Sequence, residues 1–390
     1  MAKHQKMGAT VTSTKPVNQP HSFSLPTRNS SIELLRLVCM LMIVGYHYAY
    51  TSAGHWIAEQ PFSLAKLIYQ CLMGGGWVGN FVFFTISIWF LLDRKQTLQS
   101  NLRRVWILER ELLFWSIALF LITIVLRKHD IFTGSLSTQM LALRCFLPLS
   151  LNIWWYPTSY ALFLVFLPFL NIGMRRLSQR QHCQLACICL LLWGLLGLIP
   201  KLSYNLTEST VFVFIYWYIL ISYYRWHMKP FSTRRCWSLI GIGVGIDFIY
   251  LLGSNLLYSA TGKAASAQLF IFDKWKLPTM LIGFGMFLLA ERTGFRSRAV
   301  NVLAASAFGV YLIHFYPPIL ASWTYYLSVE RMFTTAHPIL FGLLTIFAVF
   351  VACLLMDLIR QGFFKLTFDR HRGRLFDRLW KKLPENSFLR

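Results

Sequence analysis

The sequence predicts an all-α integral membrane protein with about ten transmembrane helices and both termini in the cytoplasm. Of its 390 residues, 56% are hydrophobic and only 14% are charged. Soluble domains carry about 25% charged residues, so the deficit is large. Apolar runs of about 20 residues recur along the chain, which is the length that a bilayer core requires of a helix. Lys and Arg gather in alternate connecting segments, and their distribution sets the orientation.

The ten predicted spans follow one another from the first apolar run to the last. They cover residues 34–53, 67–92, 111–127, 154–173, 184–200, 209–225, 237–254, 276–291, 301–322 and 337–359. Each is an apolar run bounded by charged or turn-forming residues. The third, fifth, sixth and eighth spans are short. The longest connection, 128–153, is itself fairly apolar, so no soluble catalytic domain is left over.

Two terminal segments flank a single membrane domain at residues 31–360. Residues 1–30 are polar, and the apolar run that follows them lacks a small-residue cleavage site, so we expect a disordered cytoplasmic tail. Residues 361–390 are basic. Their apolar side chains recur at helical spacing, at Leu375, Phe376, Leu379, Trp380 and Leu383. This pattern favours an amphipathic helix on the inner leaflet, with a solvated tail as the alternative.

The basic residues indicate a membrane partner rather than a nucleic acid. The net charge is +23, from 38 basic and 15 acidic residues. With the N-terminus inside, 29 of the 38 basic residues fall in inner segments and 9 in outer ones, as the positive-inside rule requires. Because they lie between apolar runs, we expect contact with anionic lipids and not with nucleic acid. The cysteines lack the paired spacing of a zinc site, so we expect no metal.

Ionisable side chains are costly inside a membrane, and the first span holds a set of them, Glu33, Arg36 and His47. Arg36 and His47 are eleven residues apart, which is three turns plus about 20°, so they share a helix face. Their axial separation is about 16 Å. Glu33 lies one turn from Arg36 and can pair with it. Arg36 could hold the phosphates of a cytosolic donor, while His47 takes a proton from a hydroxyl. A snorkelling Arg and a packed His fit the same spacing equally well.

A second histidine, His314, lies as far past the start of the ninth span as His47 lies past the start of the first. The two imidazoles therefore reach a similar depth and could face one cavity, and Tyr311, one turn below, could line the same path. The alternative is a structural histidine that fixes the helix before two prolines. Asp357 and Arg360, near the inner end of the last span, are interpreted as an interfacial ion pair.

Further polar, small and aromatic residues flank these candidates. Asn80 is polar within the second span and could line the cavity. Gly74–Gly76 are not followed by the Lys-Ser/Thr of a phosphate loop, so they favour close helix packing or a bend over a cavity. The clusters at 154–156 and 323–326 lie at predicted outer boundaries. They fit an aromatic interface belt or, alternatively, sites for sugar stacking.

Four segments resemble the acyltransferase-3 family of membrane O-acyltransferases, in particular the polysaccharide O-acetyltransferases of Gram-positive bacteria. NSSIELLRLVCMLMIVGYHY, at 29–48, carries an Arg, ten residues and a His, as the family's first helix does; these are Arg36 and His47. The segments that resemble the family's second, fourth and a late helix are GGWVGNFVFFTIS (75–87), WWYPTSYALFLVFLPFLN (154–171) and FGVYLIH (308–314).

The resemblance implies transfer of an acyl group, usually acetyl from cytosolic acetyl-CoA, to a hydroxyl of a cell-surface or lipid-linked polysaccharide at the plasma membrane. The acyl-CoA is a substrate, and no permanently bound cofactor is expected. His47 would be catalytic, as general base or as carrier of the acyl group, and Arg36 would bind the donor. The expected substrate cavity adds Glu33, Asn80, Ser87, Tyr156, Tyr160, Tyr311 and His314.

Two departures from the family pattern leave part of the donor site open. After Ser87 the family usually has Gly, whereas this chain has Ile88. The Arg-x-x-Arg pair of some members is not reproduced, because Arg103 and Arg104 are adjacent and Arg110 follows. The main alternative function is a transporter or flippase for a lipid-linked glycan, which would need a polar cavity but no His with a donor-anchoring Arg. A scaffolding membrane protein is a third possibility.

Overall fold

The computed structural model describes residues 29–131, 137–199, 210–262, 272–367, 373–384 and 387, so nearly all of the expected N-terminal tail lies outside it. Within these ranges the regular elements are all helical. In chain order they are α1 (Ser30–Tyr46) with a π-helical turn (His47–Thr51), α2 (Ser52–Glu59), α3 (Leu64–Leu92), α4 (Leu98–Lys128), α5 (Thr138–Phe146), α6 (Trp155–Arg176), α7 (Gln179–Cys189) with a π-helical and a 3₁₀ continuation (Leu190–Leu195, Leu196–Leu198), α8 (Val211–His227), α9 (Thr233–Thr261), α10 (Leu277–Arg292), α11 (Arg298–Ala304), α12 (Ala307–His314), α13 (Pro317–Tyr326), α14 (Val329–Phe333), α15 (Pro338–Leu366) and α16 (Arg374–Lys381).

Small polar residues begin many of these helices. The side chain of Asn29 accepts a hydrogen bond from the amide of Ser31, and Ser63 and Ser232 cap α3 and α9 in the same manner. Thr97 forms a reciprocal capping box at the start of α4. Because the first amides of a helix have no partner within it, such caps fix where each helix begins.

Within the described ranges, six helices, or seven with one bent pair, are long and apolar enough to cross a membrane. Helices α4, α8 and α10 coincide with the third, sixth and eighth predicted spans. However, α8 and α10 have only 17 and 16 residues, and the apolar part of α4 is bounded by Glu111 and Arg127. The multi-pass membrane character is therefore confirmed, while the count of about ten and the cytoplasmic location of both termini stay predictions.

The ninth span is not the continuous helix that 301–322 predicts. Arg298–His314 and Pro317–Phe333 meet at an angle of 82°. Proline has no amide hydrogen and its ring displaces the preceding turn, so the helix ends before Pro317. The carbonyls freed there find other donors: Leu312 accepts from the Trp154 indole at 3.1 Å, and His314 accepts from the Trp323 indole at 3.0 Å. Both tryptophans therefore hold the bend.

Helices α1 and α3 form the centre of the bundle, with α10, α11, α12 and α15 also packed on α1. Glycines allow the close approach. A Cβ at position 76 would lie 2.3 Å from the Cβ of Tyr46, and one at position 79 would lie 2.8 Å from the carbonyl oxygen of Cys39. The close packing expected at Gly74–Gly76 is thus present, and it fixes the α1 face that precedes His47.

The pair Asp357 and Arg360 is buried rather than interfacial. Asp357 is 0% exposed and accepts hydrogen bonds from Arg360 at 2.7 Å and from the Trp115 indole at 3.0 Å. Arg360 also pairs with Glu111 at 2.9 Å. A Cβ on Gly309 would overlap the Asp357 carboxylate, so α12 packs directly against it. The pair therefore connects α4, α12 and α15. Asp357 and Arg360 are buried because they lie where these three helices meet.

The outer faces of α9 and α15 are apolar and uncovered. Only 17% of the apolar stretch of α9 and 28% of that of α15 is buried inside the molecule. Exposed side chains include Phe248, Ile249, Phe347 and Leu355. Apolar patches of this extent occur where a protein meets lipid or another protein, as expected for membrane-spanning helices.

The C-terminal segment contains a short helix, α16, that packs on α4. Asp377 forms an ion pair with Arg103 at 3.0 Å, and Phe376 lies 6.1 Å from Trp106 between ring centroids. Leu375 and Leu379 remain exposed. Helix α15 itself continues to Leu366, six residues past the predicted end of the membrane domain. The location of α16 on the inner leaflet stays a prediction.

Candidate active site

His47 lies where α1 changes from an α-helix to a π-helical turn. Its amide is shared between the carbonyls of Ile43 and Val44, which lie four and three residues earlier in the chain. Short π-helical turns occur frequently at functional sites, because they rotate a side chain out of the regular helical series. The His47 side chain is 4% exposed and points to α12.

The two histidines form a directed hydrogen-bond chain. Nδ1 of His47 lies 2.9 Å from Nε2 of His314, whose Nδ1 lies 2.6 Å from the carbonyl oxygen of Val310. A carbonyl only accepts, so Nδ1 of His314 carries a hydrogen. When both rings are neutral, Nε2 of His314 must then accept from Nδ1–H of His47. The remaining nitrogen of His47, Nε2, therefore carries an unprotonated lone pair.

Aromatic rings hold the His47 imidazole in place. Phe315 stacks on it at 4.0 Å between ring centroids, with an interplanar angle of 15°. Tyr46 meets its edge at 5.2 Å, and Tyr311 lies at 6.4 Å. The buried Tyr311 belongs to the same helix as His314, one turn earlier, as the sequence spacing requires. The ring plane of His47 is thus fixed by its neighbours, which a positioned base needs.

Arg36 lies at the other end of the same α1 face. It forms the expected ion pair with the buried Glu33, at 3.7 Å, and its side chain is 29% exposed. Its charge acts on Tyr156 and Tyr160, the residues one turn apart on α6. Tyr156 also lies 6.4 Å from Tyr311 between ring centroids. Two tyrosines, Tyr156 and Tyr311, therefore connect the Arg36 end of the site with the His47 end.

Helix α3 contributes a third face to this region. Trp77, Asn80 and Ser87 are spaced by three and seven residues, so they share one side of α3. Asn80 is buried, and Ser87 lies beside Tyr160. The hydroxyl of Ser87 also donates to the carbonyl of Phe83 at 2.9 Å. The predicted site residues on α1, α3, α6 and α12 therefore converge on one region.

Several residues at this region were not predicted as site residues. Phe315 directly follows the segment FGVYLIH (308–314) that resembles the family. It lies four residues after Tyr311, a helical spacing from which it could have been predicted as a site residue. Arg104 interacts electrostatically with Tyr160, so of the adjacent pair it is Arg104 that faces the site, whereas Arg103 binds α16. Lys274 lies near the His47 end through tertiary packing alone, and no sequence pattern indicated it.

The site combines a positioned nitrogen base, Nε2 of His47, with a cation farther along the same helix, the guanidinium of Arg36. One α-helical face carries both, about 16 Å apart by helical rise. Such a site suits a long ligand with an anionic head at Arg36 and a reactive end at His47. Within the described residues, no group of three or more His, Cys, Asp or Glu side chains is placed to hold a metal ion.

Comparison with known proteins gives one family. A family model described as an acyltransferase domain, that of the acyltransferase-3 family, matches residues 29–357, which is most of the chain. No curated protein and no solved structure matches the chain. The matched range begins at the cap of α1 and ends in α15, so it includes His47, Arg36 and His314 together with the helices that position them.

Proposed function

Because the chain belongs to the acyltransferase-3 family, we propose that it moves an acyl group, usually acetyl, from cytosolic acyl-CoA to a hydroxyl of a cell-surface or lipid-linked polysaccharide at the plasma membrane. Family membership by itself implies acyl transfer at a membrane; the acetyl group, the acyl-CoA donor and the polysaccharide acceptor are the parts that we propose. One observation supports the chemistry most directly: Nδ1 of His47 lies 2.9 Å from Nε2 of His314.

The donor would lie along the α1 face. Arg36 is a permanently charged group at the cytoplasmic end of the predicted orientation, suited to the phosphates of coenzyme A. An extended phosphopantetheine arm could span the interval of about 16 Å to His47. Tyr156 and Tyr160 lie along that interval and would line the arm, which supports a thin, elongated donor.

His47 would act as the general base. Its Nε2 accepts the proton of the acceptor hydroxyl while the hydroxyl oxygen attacks the thioester carbonyl carbon. The carbon–sulfur bond breaks, and the departing thiolate takes the proton back from Nε2. The products are the O-acyl sugar and free coenzyme A thiol. In between, the positive charge on His47 is stabilised by its Nδ1–H hydrogen bond to His314.

The same nitrogen also serves the second route. Nε2 could attack the thioester carbonyl itself and carry the acyl group until the sugar hydroxyl displaces it. Both routes need an unprotonated Nε2 and a hydrogen on Nδ1, and both end in the same ester. Single-turnover experiments with radiolabelled acetyl-CoA and no acceptor separate them, because only the second route leaves label on the protein.

The first experiment compares glycans from cells that carry wild-type protein and the His47→Ala variant. We expect one acetyl mass per modified sugar in the wild type, released by base, and its loss in the variant. His182→Ala is the matched control, since His182, on α7, is also buried and lies 3.1 Å from the carbonyl oxygen of Ile219 on α8. Normal acylation by His47→Ala at equal expression would refute the mechanism.

The same experiment tests the transporter alternative. A flippase would change the amount of surface glycan without changing its acyl content, and His47→Ala would leave transport intact. Glycans of a deletion strain that keep their normal acylation would argue for another substrate or for transport.

Arg36→Ala tests the donor end separately. We expect a KM for acetyl-CoA raised by about 10-fold or more, because hydrogen bonds to charged groups each contribute about 1.5–3 kcal/mol. The conservative Arg36→Lys should recover part of the affinity, and kcat should change less than KM in both variants. An unchanged donor KM in Arg36→Ala would contradict the proposed orientation of coenzyme A.

A further inference from the structure

A basic cavity lies between α11 and the C-terminal end of α15. Its volume is about 510 Å³. Among the described residues that line it, three are basic and none is acidic; the basic ones are Arg296, Arg298 and Lys365. Val302 and Ala305 form an apolar part of its wall. The cavity therefore combines a concentration of positive charge with a small apolar surface.

Arg298 and Lys365 are accessible to a ligand in this cavity. Both side chains are exposed, and within the described part of the chain neither takes part in an ion pair. The acidic residue closest along α15, Asp357, accepts a hydrogen bond from the lining residue Gln361 and is already neutralised by Arg360 at 2.7 Å. Like charges that share a cavity repel one another, so a bound anion lowers their electrostatic energy. The charge of this lining thus favours an anionic ligand.

Hydrogen bonds hold the walls of the cavity in place. The hydroxyl of Ser30, at the start of α1, donates to the Asn301 side chain at 2.9 Å and accepts from the amide of Ser297 at 2.9 Å. On the opposite wall, the side-chain amide of Gln361 donates to the hydroxyl of Ser306. These bonds join α11 to α1, and α15 to the start of α12. Because the walls are already ordered, a ligand that binds here loses little affinity to the ordering of the protein.

The surroundings of the cavity favour a lipid over a soluble anion. Val302 is exposed on α11, and Phe363 and Leu366 are exposed near Lys365 on α15. Exposed apolar side chains next to cations suit a molecule that has both acyl chains and a negative charge. In the predicted orientation, residues 292–300 and 360–390 are cytoplasmic, and basic pockets between membrane helices on that side bind the headgroups of anionic lipids.

We propose that this cavity binds the phosphate group of an anionic phospholipid of the inner leaflet. Arg298 and Lys365 hold the phosphate, and the acyl chains lie along Val302 and the exposed apolar face of α15. The residues of the candidate active site lie on α1, α3, α6 and α12, so the cavity is separate from it. The lipid is therefore neither donor nor acceptor, but a ligand that connects α11 and α15, two helices that pack on α1.

Native mass spectrometry of the full-length protein in a neutral detergent provides the test. The protein is titrated with dioleoylphosphatidylglycerol, which is anionic, or with dioleoylphosphatidylcholine, which has the same chains and no net charge. We expect the Kd of the first bound phosphatidylglycerol to be about 10-fold lower than that of phosphatidylcholine, because basic residues at the membrane surface attract anionic headgroups. Glycerol 3-phosphate carries the phosphate without the chains and should bind more weakly than phosphatidylglycerol.

Substitution of both cations separates this cavity from the general positive charge of the inner surface. The double variant Arg298→Gln, Lys365→Gln should bind phosphatidylglycerol about 10-fold more weakly than the wild type, with little change for phosphatidylcholine. The matched control is Arg234→Gln, Arg235→Gln, which removes two exposed charges at the start of α9, also on the predicted inner side. The control should keep the preference of the wild type.

Thermal stability gives a second readout. Phosphatidylglycerol should raise the melting temperature of the wild type and of the control above the value in phosphatidylcholine, since a ligand that binds only the folded state stabilises it. The Arg298→Gln, Lys365→Gln variant should lose this difference.

Three results would overturn the lipid site. The first is equal affinity of the wild type for phosphatidylglycerol and phosphatidylcholine. The second is an equal loss of the preference in both double variants, which would assign it to surface charge in general. The third is equal affinity for glycerol 3-phosphate and phosphatidylglycerol, which would show a site for soluble phosphate compounds. All three would leave acyl transfer standing, because lipid binding is measured without turnover.

Discussion

His314 acts on His47 rather than on a substrate. Its two ring nitrogens contact His47 and the Val310 carbonyl, and its side chain is fully buried. It selects the tautomer of His47 in which Nε2 is the base. When Nε2 of His47 takes up a proton, His314 stabilises the resulting imidazolium by accepting its Nδ1–H hydrogen bond. It is therefore a positioning residue whose effect should appear in kcat.

Replacement of His314 by Leu removes the acceptor for Nδ1–H of His47. We expect kcat to fall about 100-fold, the lower range for loss of general-base assistance, with the KM for acetyl-CoA within about twofold. His314→Gln places an amide oxygen near the lost Nε2 and should restore part of kcat. Steady-state kinetics on both variants checks this. Equal activity of the Leu and Gln variants would show that His314 only fills space.

Asp273, in the segment that precedes α10, predicts a pH dependence of stability. Burial raises the pKa of Asp273 to about 6, against the lowering effect of Lys274 and Lys276. A raised carboxyl pKa means that the folded state holds the proton more tightly than the unfolded chain does. The stabilisation is thus complete below the ordinary pKa near 4 and is lost as the pH rises through about 6.

The measurement is the melting temperature in detergent between about pH 5 and pH 7, relative to an Asp273→Asn reference that cannot ionise. The wild-type value should decline against the reference as the pH rises. A wild-type value that increases over the same range would mean that the ion pair with Lys274 outweighs the cost of burying the carboxylate.

At the scale of elements, the bend after α12 creates the site. A continuous ninth span would have left the carbonyls of Leu312 and His314 within the helix. The two prolines end it there, and Trp154 and Trp323 bind the freed carbonyls. The prolines are visible in the sequence, but the indoles that stabilise the break come from other parts of the chain, so an apolar run alone predicted one straight helix.

The packing of α1 on α3 gives a prediction with an internal control. A Cβ at position 76 would lie 2.3 Å from the Cβ of Tyr46, whereas one at position 75 would lie 3.4 Å from the nearest atom, of Met42. Gly76→Ala should therefore displace Tyr46 and destabilise the protein by about 1–3 kcal/mol. Gly75→Ala should be nearly neutral.

Melting temperature and acyl transfer of the two alanine variants test this packing. Since the Tyr46 ring contacts the His47 imidazole at 5.2 Å between centroids, activity should fall with stability in Gly76→Ala. Equal behaviour of the two variants would mean that α1 can shift away from α3 without cost.

At the scale of the whole molecule, apolar surface and charge distribution act together. Helices α9 and α15 expose apolar faces that suit a lipid environment. In the ten-span prediction with the N-terminus inside, 29 of the 38 Lys and Arg residues fall in inner segments. In the part of the chain that the structure describes, length and composition identify six or seven candidate crossings. The difference from ten lies in α4, α8 and α10, which are short or bounded by charge.

Reporter fusions distinguish the two counts. With ten crossings and the N-terminus inside, alkaline phosphatase joined after Ile131 should be active outside, because three predicted spans precede it. Joined after Arg390, it should be inactive. With seven crossings that omit α4, α8 and α10, both results reverse. Green fluorescent protein at the same two positions is the complementary control, since it fluoresces only in the cytoplasm.

The sequence by itself determined the helical membrane fold, the family and the spacing of Arg36 and His47, because each follows from local composition or a short motif. The tertiary structure alone decided the partner of each group. His314 is 267 positions from His47, and only packing brings the two rings into contact. Burial of the Asp357 pair and the 82° bend likewise depend on contacts between distant helices. Periodicity specifies which face a residue occupies; which other face it meets depends on how the helices pack.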